Sequence, residues 1–246
     1  MNLAQLREAI DLGAAGARDT LPFGCGPVDG RVSGGGLAVN AVHEVAAAST
    51  SLSDDAAATL FLAGIGARFA RHFDAPILWA ASRFDLYAPG LEQAGLLPAS
   101  VIYAEASDDK SVLAIVEDAL RDGTPAAVIG EVRGASLVAT RRLQLAAGKA
   151  GQPVLLLRRW RKAEVDPLSA PSAAVTRWRI ASASSSPLPV AGVGRPRWRV
   201  ELARQRGGEP HIWELEGCDA RGRLADPAPS RGRASSAAGS AYRQVA

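Results

Sequence analysis

Three Arg-Trp-Arg triplets, a run of hydroxyl side chains and one carboxylate at the end of an apolar stretch have the most chemical reach in this chain. The hydroxyls, Ser49-Thr50-Ser51, follow Ala48 at the junction between a β-like run, Ala41 to Ala46, and a helical stretch, Asp54 to Phe73. A phosphate-binding loop occupies this kind of strand-to-helix junction. Its glycines let backbone N–H groups converge on the phosphates, a lysine adds charge, and a Ser or Thr hydroxyl holds magnesium. His43 to Ser53 contains neither glycine nor lysine. Ala48, Ser49, Thr50 and Ser51 therefore make at most a vestigial nucleotide site, with Glu131 standing where a magnesium carboxylate would.

The other short motifs fail on context. Gly148-Lys149 falls at a helix end with Ala150 in place of the hydroxyl residue, His43-Glu44 lacks the second histidine of a zinc protease, and Gly34-Gly35-Gly36 precedes a strand and reads as a turn. Cys25 and Cys218 are too few for a disulfide framework or zinc site, and His43, His72 and His211 lack ligand spacing. No catalytic, cofactor-binding or metal-binding set is expected, and no cofactor.

The triplets are Arg159-Trp160-Arg161, Arg177-Trp178-Arg179 and Arg197-Trp198-Arg199. In an extended strand each would send two guanidinium groups to one face and an indole to the other. Alternation turns the second and third indoles toward the core and leaves a two-strand ladder of like charge. That ladder is relieved either by an acidic partner or phosphates, or by the neighbouring Glu201 and Glu214. Arg158, Lys162, Arg195, Arg204 and Arg206 extend the basic region, which holds eleven Lys/Arg against three Asp/Glu in a chain of net charge only +3. These eleven, Arg161 included, form the candidate interaction surface. Contact with nucleic acid through it would be sequence-blind and steeply salt-dependent.

At 246 residues, 48% hydrophobic and 22% charged, the chain is long enough for one sizeable core, and no run reaches the length of a membrane span. A cytoplasmic protein is expected. Short apolar runs at Ala41 to Ala46, Pro76 to Ala81, Val101 to Glu105, Ala126 to Ile129 and Val154 to Leu157 suit parallel strands covered on both faces. Helical stretches lie between them at Asp54 to Phe73, Pro89 to Ala94, Asp108 to Arg121 and Leu137 to Ala150. Ser53 and Ser107 are placed as N-caps and Gly123 as a stop. Ala174 to Ser182, Arg197 to Arg206 and His211 to Glu216 alternate and read as antiparallel, the last two joined at Gly207-Gly208-Glu209-Pro210. Residues 1–20 read as an N-terminal helical segment and 21–218 as the core domain. Residues 219–246, where 22 of 28 are Arg, Ala, Gly, Ser or Pro, read as a disordered tail.

In this order the segments resemble the RecA core and, within that superfamily, the ImuA family. The resemblance rests on Leu21-Pro22-Phe23-Gly24, Val42-His43-Glu44-Val45, Ser82-Arg83 with Asp85 to Leu91, Gly130-Glu131-Val132, Arg141 to Ala146, Leu155 to Arg159 and Gly194 to Trp198, and spans about Leu21 to Glu216. It implies an α/β fold with a mostly parallel central sheet, flanking helices and a C-terminal antiparallel hairpin. It also implies a non-catalytic accessory role in damage-induced translesion synthesis. The implied partners are an ImuB-like inactive relative of the Y-family polymerases and an error-prone C-family polymerase, with RecA and the DNA backbone as further contacts and a homo-oligomer formed through Asn2 to Asp11. Ser82-Arg83 stands where a recombinase places its catalytic glutamate. The alternatives are a division inhibitor like SulA, a modulator of RecA filaments, and a working ATPase with an aberrant site.

Overall fold

The computed structural model describes residues 19–83, 85–160, 162–185, 192 and 194–227. Ten strands and five α-helices alternate along it. β1 (Thr20–Leu21), α1 (Gly26–Asp29) and β2 (Leu37–Ala38) form a lead-in; β3 (Val42–Ala47), α2 (Leu52–Phe73), β4 (Ile77–Ala81), α3 (Ala88–Gln93), β5 (Val101–Glu105), α4 (Asp109–Asp122), β6 (Val128–Val132), α5 (Leu137–Ala150) and β7 (Val154–Arg158) follow. The chain then turns through β8 (Thr176–Ala183), β9 (Arg197–Gln205) and β10 (His211–Glu216).

One eight-stranded sheet carries β3 to β10 in the order β10-β9-β8-β3-β7-β6-β4-β5. From β8 to β5 all neighbours are parallel, while β9 runs antiparallel to both β8 and β10. This is the expected α/β architecture. Each crossover helix has a local reason to begin and end: Ser51, Asp108 and Ser136 accept hydrogen bonds from the N–H groups of Asp54, Ser111 and Ala139, and Gly123 and Gly151 close α4 and α5 in the left-handed region. The first two caps are not the expected ones. Ser51 rather than Ser53, and Asp108 rather than Ser107, have the extended backbone that aims a side chain at the first turn.

The core is aromatic on the side of the sheet that α2 covers. The Trp178 ring centroid lies 5.3 Å from that of Phe23 and 5.8 Å from that of Phe61, and Trp198 and Trp213 continue the cluster. Trp178 and Trp198 are buried, as alternation requires. β5 departs from expectation: it pairs only with β4, and Ile102 and Tyr103 are exposed. It is an edge strand, because α4 packs mainly on β6 and leaves the rim open.

The N-terminal segment 1–20 lies outside the described residues up to 18, and Thr20 already belongs to β1. The expectation of disorder from residue 219 onward is corrected for Asp219 to Pro227. Leu224 is buried, Glu216 and Ala225 exchange backbone hydrogen bonds, and Asp219 accepts from the N–H groups of Arg221 and Arg223. Three glycines make this docking possible: a Cβ at Gly64 would stand 2.3 Å from Cys218 Sγ, one at Gly95 would stand 2.6 Å from the Gly222 backbone nitrogen, and one at Gly222 would stand 2.4 Å from the Gly64 carbonyl oxygen. Composition hides this, because the anchoring is done by a few side chains and close backbone approach. Residues 228–246 lie outside the described residues. Gly64→Ala should lower stability by about 1–3 kcal/mol in urea unfolding, as overpacking does, and Cys218→Gly added to it should recover most of the loss; an unchanged midpoint would remove this account of the docking.

Candidate functional site: a strand-end cradle filled by the protein's own charges

Parallel strands deliver their C-terminal ends, and the loops that follow, to one rim of the sheet, where ligands of open α/β folds bind. Here that rim encloses a cavity of about 300 Å³ lined by Ser49, Thr50, Asp55, Glu131 and Arg159, with Ser82 and Arg83 nearby. The expected vestigial residues Ser49, Thr50 and Glu131 therefore do meet. Ala48 and Ser51 belong to the same bend, fixed by the Ala48 N–H donating to the Ile180 carbonyl oxygen and by the Ser51 cap.

Most of the groups that an anion would use are spent internally; Arg133 and Lys162, which also line the cavity, have no acidic partner among the described residues. Asp54, in the first turn of α2, accepts from Ser49 Oγ at 2.6 Å and from the Ser182 N–H at 2.8 Å. Asp55 in the same turn accepts from Arg159 Nη1 at 2.6 Å, and Arg159 Nε donates to Glu131 Oε2 at 2.9 Å. Trp79 Nε1 completes the set, donating to Glu131 Oε1 at 2.7 Å. Across the rim, Asp109 accepts from the Arg133 and Gly134 N–H groups. The paired backbone donors of Arg133 and Gly134, which could take phosphate, thus hold a carboxylate of the same chain, and Asp54 and Asp55 stand in the first turn of α2 at its positive end.

The charge arithmetic follows. Glu131 is 7% exposed, and burial pushes its carboxyl above the usual 4.5, although Arg159 and the Trp79 indole pull it back. Burial acts against the Arg159 cation, but Glu131 and Asp55 outweigh it and raise its pKa. No group of three or more His, Cys, Asp or Glu with metal-holding geometry occurs among the described residues.

The basic surface requires the largest correction. Arg158 and Arg177 are buried, and both donate to Glu44, Nη1 of the first to Oε1 and Nε of the second to Oε2, each at 2.7 Å. Arg179 pairs with Glu201 and Asp166, Arg197 and Arg199 with Glu214 and Glu201, and Arg195 with Glu216. Arg204 donates to the carbonyls of Ser172 and Ala174. The like-charge ladder is therefore relieved inside the molecule, at Glu201 and Glu214 as one expectation had it, and it demands no external counterion. Of the eleven candidate residues only Lys162 and Arg206 are described and without such a partner; Arg161 lies outside the described residues.

Sequence reasoning missed Glu44 and the first-turn pair Asp54-Asp55. Glu44 was masked by the neighbouring His43, which makes its own buried bonds to Thr176 and the Ala38 carbonyl oxygen. Its role depends on β3 lying between β7 and β8, which pattern alone does not reveal. The signal for Asp54 and Asp55 was present: acidic residues in the first turn of a helix already complement its dipole.

The fold and the rim define a RecA-like domain whose strand-end cradle is occupied by an internal Asp55–Arg159–Glu131 network. The crystal structure of the RadB recombinase superposes with a TM-score of 0.52, at 17% identity, over 84% of this chain and 99% of that one, which speaks for the fold alone. No family model matches the chain. Two curated relatives, both named Protein ImuA and from Caulobacter vibrioides strains NA1000 / CB15N and ATCC 19089 / CIP 103742 / CB 15, are each 39% identical over 214 residues, which is 84% of this chain and 88% of theirs. The chain belongs to the ImuA family.

Two outcomes test the buried charges. Glu44→Ala leaves two buried guanidinium groups facing each other and should cost about 3–5 kcal/mol in denaturant unfolding, whereas apolar replacement of Glu44, Arg158 and Arg177 together should cost far less. Arg159→Leu strips Glu131 of its cation, so the folded-state pKa of that carboxyl climbs further above its unfolded value. The stability it then retains is present below about pH 4.5 and is lost as pH rises through the folded value. The deficit against wild type should be largest near neutrality and shrink on acidification, and Glu131→Gln in the same background should flatten that dependence.

Proposed function

We propose that the protein is a non-hydrolytic accessory factor of damage-induced mutagenic DNA synthesis, a docking body built on a RecA-like core. Membership of the ImuA family supports the setting. The observation that carries the reading is the Asp55–Arg159–Glu131 network: its two carboxylates stand where a triphosphate would bring negative charge, and His43 to Ser53 supplies no lysine or glycine to receive one. A phosphate entering here meets carboxylates already holding the donors it needs.

In this reading the partners are an ImuB-like inactive Y-family polymerase relative and an error-prone C-family polymerase. RecA or the DNA backbone are secondary contacts, and self-association is part of the same picture. Internal pairing of Arg177, Arg179, Arg197 and Arg199 moves the contact surface off the β8–β9 ladder. Calorimetric titration with magnesium and ATP should give no binding heat, and a strain lacking the gene should lose damage-induced mutation to the level of one lacking the ImuB-like partner. ATP binding at micromolar affinity, about 8 kcal/mol, would overturn the reading of the cradle, and unchanged mutation frequency that of the role.

A further inference from the structure

Beside the occupied cavity lies a second cleft of about 600 Å³, between the Arg133–Ser136 loop and segment 158–170. Its charges separate into used and unused. Arg158 and Arg159 are paired with Glu44, Asp55 and Glu131, and the one lining carboxylate, Asp166, is held by Arg179. Arg133 and Lys162, both exposed, have no acidic partner among the described residues, and both line the two cavities alike.

Two further features favour negative charge at this spot. α5, a 14-residue helix capped by Ser136, has no acidic residue in its first turn, so its N-terminal partial charge is not offset there as it is in α2. Arg158 lines the cleft while only 3% exposed, and its Nε has no hydrogen-bond partner. Apart from Gly134 and Ser169 the remaining wall is apolar: Ala135, Val165, Pro167 and Ala170, with Val165 54% exposed.

We propose that this cleft docks an extended acidic segment of a partner protein, one that carries an apolar side chain beside its carboxylates. The carboxylates meet Arg133, Lys162 and the opening N–H groups of α5, and the apolar side chain lies against Val165, Pro167 and Ala170. Nucleic acid fits less well. A phosphate backbone is gripped by a run of cations and by aromatic stacking platforms. The cleft offers two unpaired cations, a carboxylate on its wall and no aromatic lining residue. The cleft adjoins the filled cradle and shares Arg133, Arg159 and Lys162 with it, but the peptide test and the nucleotide titration read different ligands, so either reading can fail without the other.

The test uses the full chain against an array of synthetic peptides. Asp/Glu runs containing Leu or Phe are set beside their Asn/Gln counterparts, with fluorescein-labelled oligothymidylate titrated in parallel. The acidic–apolar peptides should bind. Replacing their carboxylates by amides, Arg133→Glu with Lys162→Glu, or Val165→Asp should each weaken binding by roughly tenfold or more, with thermal unfolding of the variants unchanged. Lys162→Glu alone, on an exposed segment, should already weaken it. The proposal is overturned if no acidic–apolar peptide binds, if binding survives these substitutions, or if oligothymidylate is the ligand they release.

Discussion

The ion triad Arg158–Glu44–Arg177 is the interaction on which the rest of this structure depends. Its members come from β7, β3 and β8, three adjacent strands, and each is almost wholly buried. Burying three charges is costly, and an apolar triad of the same volume is often no less stable, so the value of the arrangement lies in register. A shift of β7 or β8 by one residue turns every side chain to the other face and leaves the Glu44 carboxylate without a cation. β8 is the point where the parallel half of the sheet meets the antiparallel half, and a single carboxylate clamps both.

That clamp also sets the rim. Because Arg158 is held inward, Arg159 projects from the strand end toward α2 and reaches Asp55 and Glu131 together. The usual logic of a phosphate cradle is inverted. There, backbone donors and a lysine await an anion from solution; here the anions belong to the chain, and the cation comes from the end of β7. Ser49, which in a phosphate loop would face a metal or an oxyanion, is turned back to Asp54. The donors at the centre of the cavity, Ser49, Arg159 and Trp79, already have acceptors of the right sign, and the unpaired cations Arg133 and Lys162 stand at its wall.

Much of the layout was legible in the residues because it is local. The helix stop at Gly123, the alternation that buries Trp178 and Trp198, and the turn between β9 and β10 all follow from backbone preferences and period. What was not legible depends on which strands become neighbours. The basic stretch from Arg158 to Arg206 looks like a surface in one dimension, yet Glu44, more than a hundred positions upstream, neutralises two of its members. The same limit hid the docking of Asp219 to Pro227, whose composition is that of a tail but whose contact rests on Leu224, Cys218, a few backbone and Asp219 hydrogen bonds and the bare backbone at Gly64, Gly95 and Gly222.

A bound nucleotide stabilises the fold that holds it, in proportion to its concentration and affinity. A relative without that ligand has to satisfy the same strand ends by covalently attached groups, at the cost of freezing them and stripping them of water. The Asp55–Arg159–Glu131 network does this with two carboxylates around one guanidinium, and the upward displacement of the Glu131 pKa is the residue of that desolvation left uncompensated. The charged groups at the rim are thereby satisfied by the chain's own side chains. In the proposed reading as a docking body, a surface already satisfied from within suits a partner better than one that must first bind a nucleotide. The unpaired cations Arg133 and Lys162 lie just outside this rigid patch, where a partner's charge can be read against a fixed background.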